Sequence, residues 1–284
     1  MLRTRPAVRP LTPADRDAAL ALCGRDPARH LFVAARIEES ARTGSLSSVL
    51  GHRVDGELDA ICWANANIVP VETDDSARAA LAERMRRWRP STASVLGPRE
   101  EVLDLWDRLA RHWGPPRAIR ADQPLMTTRT KPSARGLEID QRVRPAWDSE
   151  VDAVLPAATH MFTHEIGYPP YVGSSRAYRA AVAGLIARRH TFVLVEQGEV
   201  VFKTDIGSLA LGCAQLQGVW LTPRLRGRGL SGPLLAAVVD QVLDGRVGPV
   251  TEVSLYVNDF NVAALALYER IGFTTVGTFA TVLL

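Results

Sequence analysis

Six consecutive residues, Arg224-Leu225-Arg226-Gly227-Arg228-Gly229, put three guanidinium groups and two glycines in one short stretch. An apolar run, Val219-Trp220-Leu221, precedes them and breaks at Thr222-Pro223. An apolar, alanine-containing helix follows, and its early Pro233 suits a first turn, where a missing N–H costs nothing. Strand, glycine-rich basic turn and helix together make an anion site. Glycine lets the backbone approach a ligand, the first helical N–H groups have no partner inside the helix, and the helix dipole favours negative charge there. Residues 218–242 therefore fit a diphosphate. They also fit an ordinary strand-to-helix connection with solvated arginines, so a second landmark is needed to decide.

The elements that would position this turn occur twice. Val8-Arg9-Pro10 returns as Val143-Arg144-Pro145, and Asp17-Ala18 returns as Asp152-Ala153, at the same offset. Asp55-Gly56-Glu57 and Gln197-Gly198-Glu199 each read as a hairpin turn between alternating strands. A strand at 93–96 precedes a helix at 100–112, as a strand at 253–257 precedes a helix at 261–270. The spacing predicts two copies of one α/β unit, 1–131 and 137–284, separated by a linker-like basic segment at 129–136. The copies differ at the turn. In the first, the strand at 67–71 runs into Glu72-Thr73-Asp74-Asp75, which suits a helix N-terminus but repels a diphosphate.

Residues 158–171, ATHMFTHEIGYPPY, read as a loop over a substrate site, with Phe162, Tyr168 and Tyr171 as an apolar wall. His160 and His164 are spaced as on one helical face, but no third ligand lies nearby, and no metal is expected. Glu165 is either a proton acceptor or a rim charge.

Composition narrows the classes. The 284 residues are 46% hydrophobic and 23% charged with a formal net charge of +3, ordinary for a soluble globular protein and too weakly basic to argue for nucleic acid. The basic run 84–89 reads as a solvated helix face. No apolar run reaches membrane-spanning length, and residues 1–5 lack the apolar core of a leader. Cys23, Cys62 and Cys213 are far apart and set in apolar sequence, as buried reduced thiols in a cytoplasmic protein would be.

The second half carries a further signature. Arg224, Gly227 and Gly229 form R-x-x-G-x-G, and Asn261, Ala264, Tyr268, Gly272 and Phe273 form N-x-x-A-x-x-x-Y-x-x-x-G-F. In this order and spacing, residues 140–284 resemble the GNAT superfamily of N-acetyltransferases. The whole chain, a degenerate copy before an intact one, resembles the tandem-GNAT proteins of actinobacteria. The resemblance implies an α/β (α+β) fold of two tandem GNAT-like domains, each a mixed, mostly antiparallel sheet flanked by helices. It implies acetyl-CoA as cosubstrate and a primary amine of a small molecule or protein as acceptor. The backbone of Val219, Trp220 and Leu221 would pair with the pantetheine arm. Residues Gly227, Arg228, Gly229, Leu230, Ser231 and Gly232 would hold the diphosphate, assisted by Arg224. Asn261 would contact the cofactor, and Tyr268 would protonate the departing thiolate. Family members often carry a glutamate base near the position of Tyr256. Here the base candidates are Glu165 and Glu252, with Asp205 behind them. A non-catalytic acyl-CoA-binding module is the alternative reading. Oligomeric state is left open, a monomer being compatible with the duplication.

Overall fold

The computed structural model describes residues 7–40 and 44–284; residues 1–5, read above as lacking a leader's apolar core, lie outside them. In chain order the elements are β1 (Val8–Pro10), α1 (Arg16–Cys23), α2 (Pro27–Ser40), β2 (Val49–Val54), β3 (Glu57–Ala64), β4 (Asn67–Val71), α3 (Asp75–Met85), β5 (Ser94–Pro98), α4 (Arg99–Trp113) and β6 (Ala118–Thr128). After the connecting segment come β7 (Arg144–Pro145), α5 (Val151–Ile166), α6 (Arg176–Ala187), β8 (Thr191–Glu196), β9 (Glu199–Ala210), β10 (Cys213–Leu221), α7 (Ser231–Leu243), β11 (Glu252–Tyr256), α8 (Val262–Ile271) and β12 (Thr274–Leu283). Among the described residues no helix is long and apolar enough to cross a membrane.

The contacts divide the chain into two compact units. The first holds the residues up to Met126 together with Tyr256–Asn261 and Thr275–Leu284; the second holds Thr127–Leu255 and Val262–Thr274. The expected segments 1–131 and 137–284 follow chain order, whereas these units are discontinuous. The stretch 129–136, linker-like in composition, is docked on the second unit. Lys131 pairs with Asp244, the Ser133 N–H donates to Asp240 Oδ1 at 3.2 Å, and Arg129 meets Glu252 at 3.2 Å.

In the first unit the strand order is β1-β2-β3-β4-β5-β12-β6. β1 with β2, β2 with β3, β3 with β4 and β5 with β12 run antiparallel, and β4 with β5 parallel. The last strand of the chain thus completes the first sheet: Phe279 faces Pro98 and Leu283 faces Ser94. It brings Ala280 and Val282 into a core with Leu81, Met85, Leu105 and Leu109. Burying each such side chain contributes roughly 1.5–3 kcal/mol. α4 is amphipathic with Val102, Leu105, Trp106, Leu109 and Trp113 inward, acids in its first turn and Arg111 and His112 in its last.

In the second unit the order is β11-β10-β9-β8-β7, antiparallel except β10 with β11. α5 and α6 cover β8–β10 through Val154, Ala157, Ala158, Val182 and Ile186, packed on Val193, Val200 and Trp220. Both expected hairpins form with positive φ at their two central residues, 49° and 93° at Asp55-Gly56, 52° and 82° at Gln197-Gly198. The three cysteines are buried and not disulfide-bonded, and burial pushes the Cys23 thiol up to about 12.

Residues 158–171 depart from the expected loop. The helix α5 runs on to Ile166 and stops at Gly167, φ 92°, whose N–H donates to Thr163 O at 2.9 Å. The stripe Val154, Ala157, Ala158, Met161 keeps helical spacing onto the sheet, which outweighs the loop-like composition. Only the residues beyond Gly167, with Pro169 and Pro170, form a loop.

Candidate active site

β10 and β11 pair only where Cys213, Ala214 and Gln215 face Glu252, Val253 and Ser254. Beyond that point β10 continues to Leu221 without β11 beside it, so its backbone groups are open on that edge. On the other edge β10 pairs with β9 in a register that shifts between Gln215 and Leu216 and again between Gln217 and Trp220. Gly218 sits in the second irregularity with φ 59°. A Cβ there would lie 2.7 Å from Met161 Cε and 3.3 Å from Lys203 Nζ, so any larger residue would have to displace both side-chain ends and hold a left-handed backbone. Val219, Trp220 and Leu221 therefore lie on the strand segment that has parted from its parallel neighbour.

A short 3₁₀ turn, Pro223–Leu225, leads from β10 into the glycine-rich loop. Arg226 Nε donates to Leu221 O at 3.0 Å, which ties the loop back to the strand end. Gly227 and Gly229 both have φ 74°, and a Cβ on either would meet nothing within 4 Å. Space above the loop is thus open, and the backbone there adopts a form that disfavours side chains. α7 begins at Ser231 with Leu230 at its N-cap position, and no side chain caps it. Its first N–H groups have no partner within the helix and lie at the positive end of the dipole. Arg224 and Arg228 are exposed, Arg224 making only a loose 3.7 Å pair with Glu199. Sequence reasoning missed Arg270. From α8 its Nη2 lies 3.3 Å from where a Gly232 Cβ would be, so its guanidinium covers the first turn of α7. The third position of the Tyr268-Glu269-Arg270 triplet carried no signal by itself; the contact depends on α8 crossing α7.

The carboxyl-terminal end of α5 brings ionisable groups to the same unit. Trp220 Nε1 donates to His160 Nδ1 at 3.0 Å, and the His160 and His164 rings stack with centroids 6.3 Å apart. Among the described residues no three His, Cys, Asp or Glu side chains are grouped to hold a metal ion. Glu165 is exposed. Tyr268 is buried at 8% exposure with its ring 6.1 Å from Phe273. Burial first, and the Glu165 carboxylate second, hold its phenol well above the usual tyrosine range.

Glu252 is placed differently. It opens β11 at the paired end, opposite Cys213, and its carboxylate is buried against Arg129. Asp205 on β9 is buried as well, accepting from Thr191 Oγ1 at 2.8 Å and from Lys203 Nζ at 2.5 Å. Asn261 is exposed immediately ahead of α8, its N–H donating to Asn258 O at 2.9 Å.

These features agree with what the chain resembles among known proteins. Residues 159–273 match the acetyltransferase (GNAT) family, and residues 47–154 match a domain of unknown function, DUF4081. No curated protein matches the chain by sequence. Among solved structures it is similar to a GCN5-related N-acetyltransferase from Sphaerobacter thermophilus, with 17% identity, a TM-score of 0.60, and 96% of this chain and 94% of that one covered. It is likewise similar to a tandem GNAT protein from the clavulanic acid biosynthesis pathway, with 15% identity, a TM-score of 0.56, and 97% and 98% covered. An acetyltransferase of the GNAT family from Colwellia psychrerythraea follows the same fold at 12% identity and a TM-score of 0.54, with 97% and 98% covered. The chain thus has the fold of tandem GNAT proteins, and its residues 159–273 match the acetyltransferase (GNAT) family.

Proposed function

We propose that the second half of the chain transfers an acetyl group from acetyl-CoA to a primary amine by direct attack. The observation that carries this reading is the parting of β10 from β11 next to an open, positively charged loop and an uncapped helix. An extended, hydrogen-bonding arm ending in a diphosphate has the chemistry to occupy both. Val219, Trp220 and Leu221 would offer backbone groups to the pantetheine amides. Gly227 through Gly232 would offer N–H groups to the diphosphate, with Arg224, Arg228 and Arg270 supplying full charge. Asn261 would contact the cofactor ahead of α8.

Tyr268 is the acid in this reading. Its raised pKa keeps the phenol protonated and able to donate to a departing sulfur. Glu165, exposed near the end of α5, is the candidate base. Glu252 has no such role here, being committed to Arg129 where the strands are still paired. The first unit, with acids at 72–75, would support the fold without a second diphosphate site.

The test is turnover of acetyl-CoA against a panel of amines with the full chain. Tyr268→Phe should leave acetyl-CoA binding in place and lower kcat about 100-fold. Binding without turnover on any amine would instead favour an acyl-CoA-responsive module.

A further inference from the structure

Trp220 is one of three residues whose backbone would meet the acyl donor, yet its side chain points away from that role. The indole is 8% exposed, packed in the core beneath α5, and its one polar group donates to His160 Nδ1 at 3.0 Å. The two rings meet edge to face with centroids 5.7 Å apart. An indole N–H only donates, so the histidine nitrogen facing it must be the unprotonated one, and a neutral imidazole then carries its proton on Nε2. An imidazolium has no acceptor nitrogen, so a single proton abolishes the bond.

The location gives that bond a consequence. The segment from Gly218 to Leu221 has lost β11 on one edge, and on the other it passes a bulge before Trp220 and Leu221 pair with Lys203 and Phe202 of β9. A tie from α5 to the Trp220 ring adds a hold from the helix side, just past the bulge. We infer that His160 is a positioning residue for acyl-donor binding, acting through Trp220 and only while its ring is neutral. This rests on the proposed acetyl-CoA site.

Other charged and titratable groups surround the pair. On α5 itself His164 stacks on His160, with Glu165 next in sequence. On α6 Tyr178 donates to Ala158 O at 3.0 Å. On β9 Lys203 and Asp205 form a buried ion pair at 2.5 Å. None of these touches the indole N–H, so the pH response of that bond belongs to His160.

The experiment uses the full chain and two readouts. By ¹H–¹⁵N spectroscopy, the Trp220 indole resonance, identified by its absence in Trp220→Phe, should be protected from exchange at about pH 7.5. It should lose protection at an acid pH where a proton on the ring has removed the acceptor. In His160→Gln, whose amide oxygen still accepts, it should stay protected at both. By calorimetry, His160→Ala should weaken acetyl-CoA binding about tenfold at the higher pH, the worth of one such bond. His160→Gln should restore affinity and remove the acid loss seen in wild type. An indole resonance indifferent to pH, or a His160→Gln profile that falls with acid as wild type does, would overturn the inference. Failure of wild type to bind acetyl-CoA at all would overturn the proposed function instead, while the indole measurement would still read the contact.

Discussion

The same strand-to-helix connection is built twice in this chain, once sealed and once open. In both units the first strand of a parallel pair parts from its neighbour: β4 keeps only Asn67 and Ile68 opposite β5, as β10 keeps only Cys213–Gln215 opposite β11. After β4 the segment is closed by the protein's own groups. Residues 68–71 are buried except for their turn at Glu72, φ 56°. Glu101 accepts from both the N–H and the hydroxyl of Thr73, and Asp74 caps α3 by accepting from Ala77 N at 2.7 Å. After β10 no carboxylate takes those places; glycines, arginines and an uncapped α7 stand there instead. Carboxylates satisfy the helix end in one copy; in the other no side chain caps it, and there we propose that an anion binds. Duplication preserved the splay, and side-chain chemistry alone separates a closed turn from a site.

The comparison is broken most severely by filling the open turn. Replacing both Gly227 and Gly229 with valine should weaken acetyl-CoA binding at least 100-fold, the loss of about two charge-assisted hydrogen bonds. The fold should survive it, because no neighbour lies within 4 Å of either Cβ and the backbone strain costs roughly 1–2 kcal/mol per residue. Gly56→Val, equally open at φ 93° in the first unit, should impose similar strain and leave binding unchanged. Calorimetry and thermal melts on the three proteins read both effects.

A smaller effect separates the units by pH. His30 on α2 is 1% exposed, with neither ring nitrogen hydrogen-bonded and Nε2 3.7 Å from Glu72. Burial, against the pull of Glu72, Glu101 and Asp26, holds its pKa below the ordinary histidine value. The unfolded chain therefore takes up this proton first. The stability tied to neutral His30 is fully present above the unfolded value of about 6.5 and is lost as pH falls through it, at up to about 1.4 kcal/mol per pH unit. Urea melts between about pH 5 and 7.5 should give that slope, and His30→Leu should flatten it. The smallest effect is the cap. Asp74→Ala should cost about 1 kcal/mol of stability in the same melts and nothing in acetyl-CoA affinity.

How much of this was legible in the sequence follows from how local each feature is. Turns needing positive φ announce themselves as Asp55-Gly56 and Gln197-Gly198, and the two signatures of the second half lie in the stretch that matches the GNAT family. The end of α5 was misread because Tyr168-Pro169-Pro170 coloured the residues before it, while the helical stripe through Met161 decided the matter. The destination of β12 has no local signal: it pairs with β5, a strand far away in sequence. Arg270 over Gly232 and Trp220 on His160 are likewise contacts between elements far apart in sequence. Glu252 looked eligible by strand alternation alone, and only the register with Cys213 and the reach of Arg129 set it at the closed end.

The stoichiometry of acetyl-CoA binding to the full chain, measured by titration calorimetry, tests most directly the claim that a duplicated fold holds one site. One equivalent bound per chain, abolished by the paired valine substitutions at Gly227 and Gly229 and untouched by Asp74→Ala, is the expected result. Two equivalents, or one that persists in the valine variant, would contradict it.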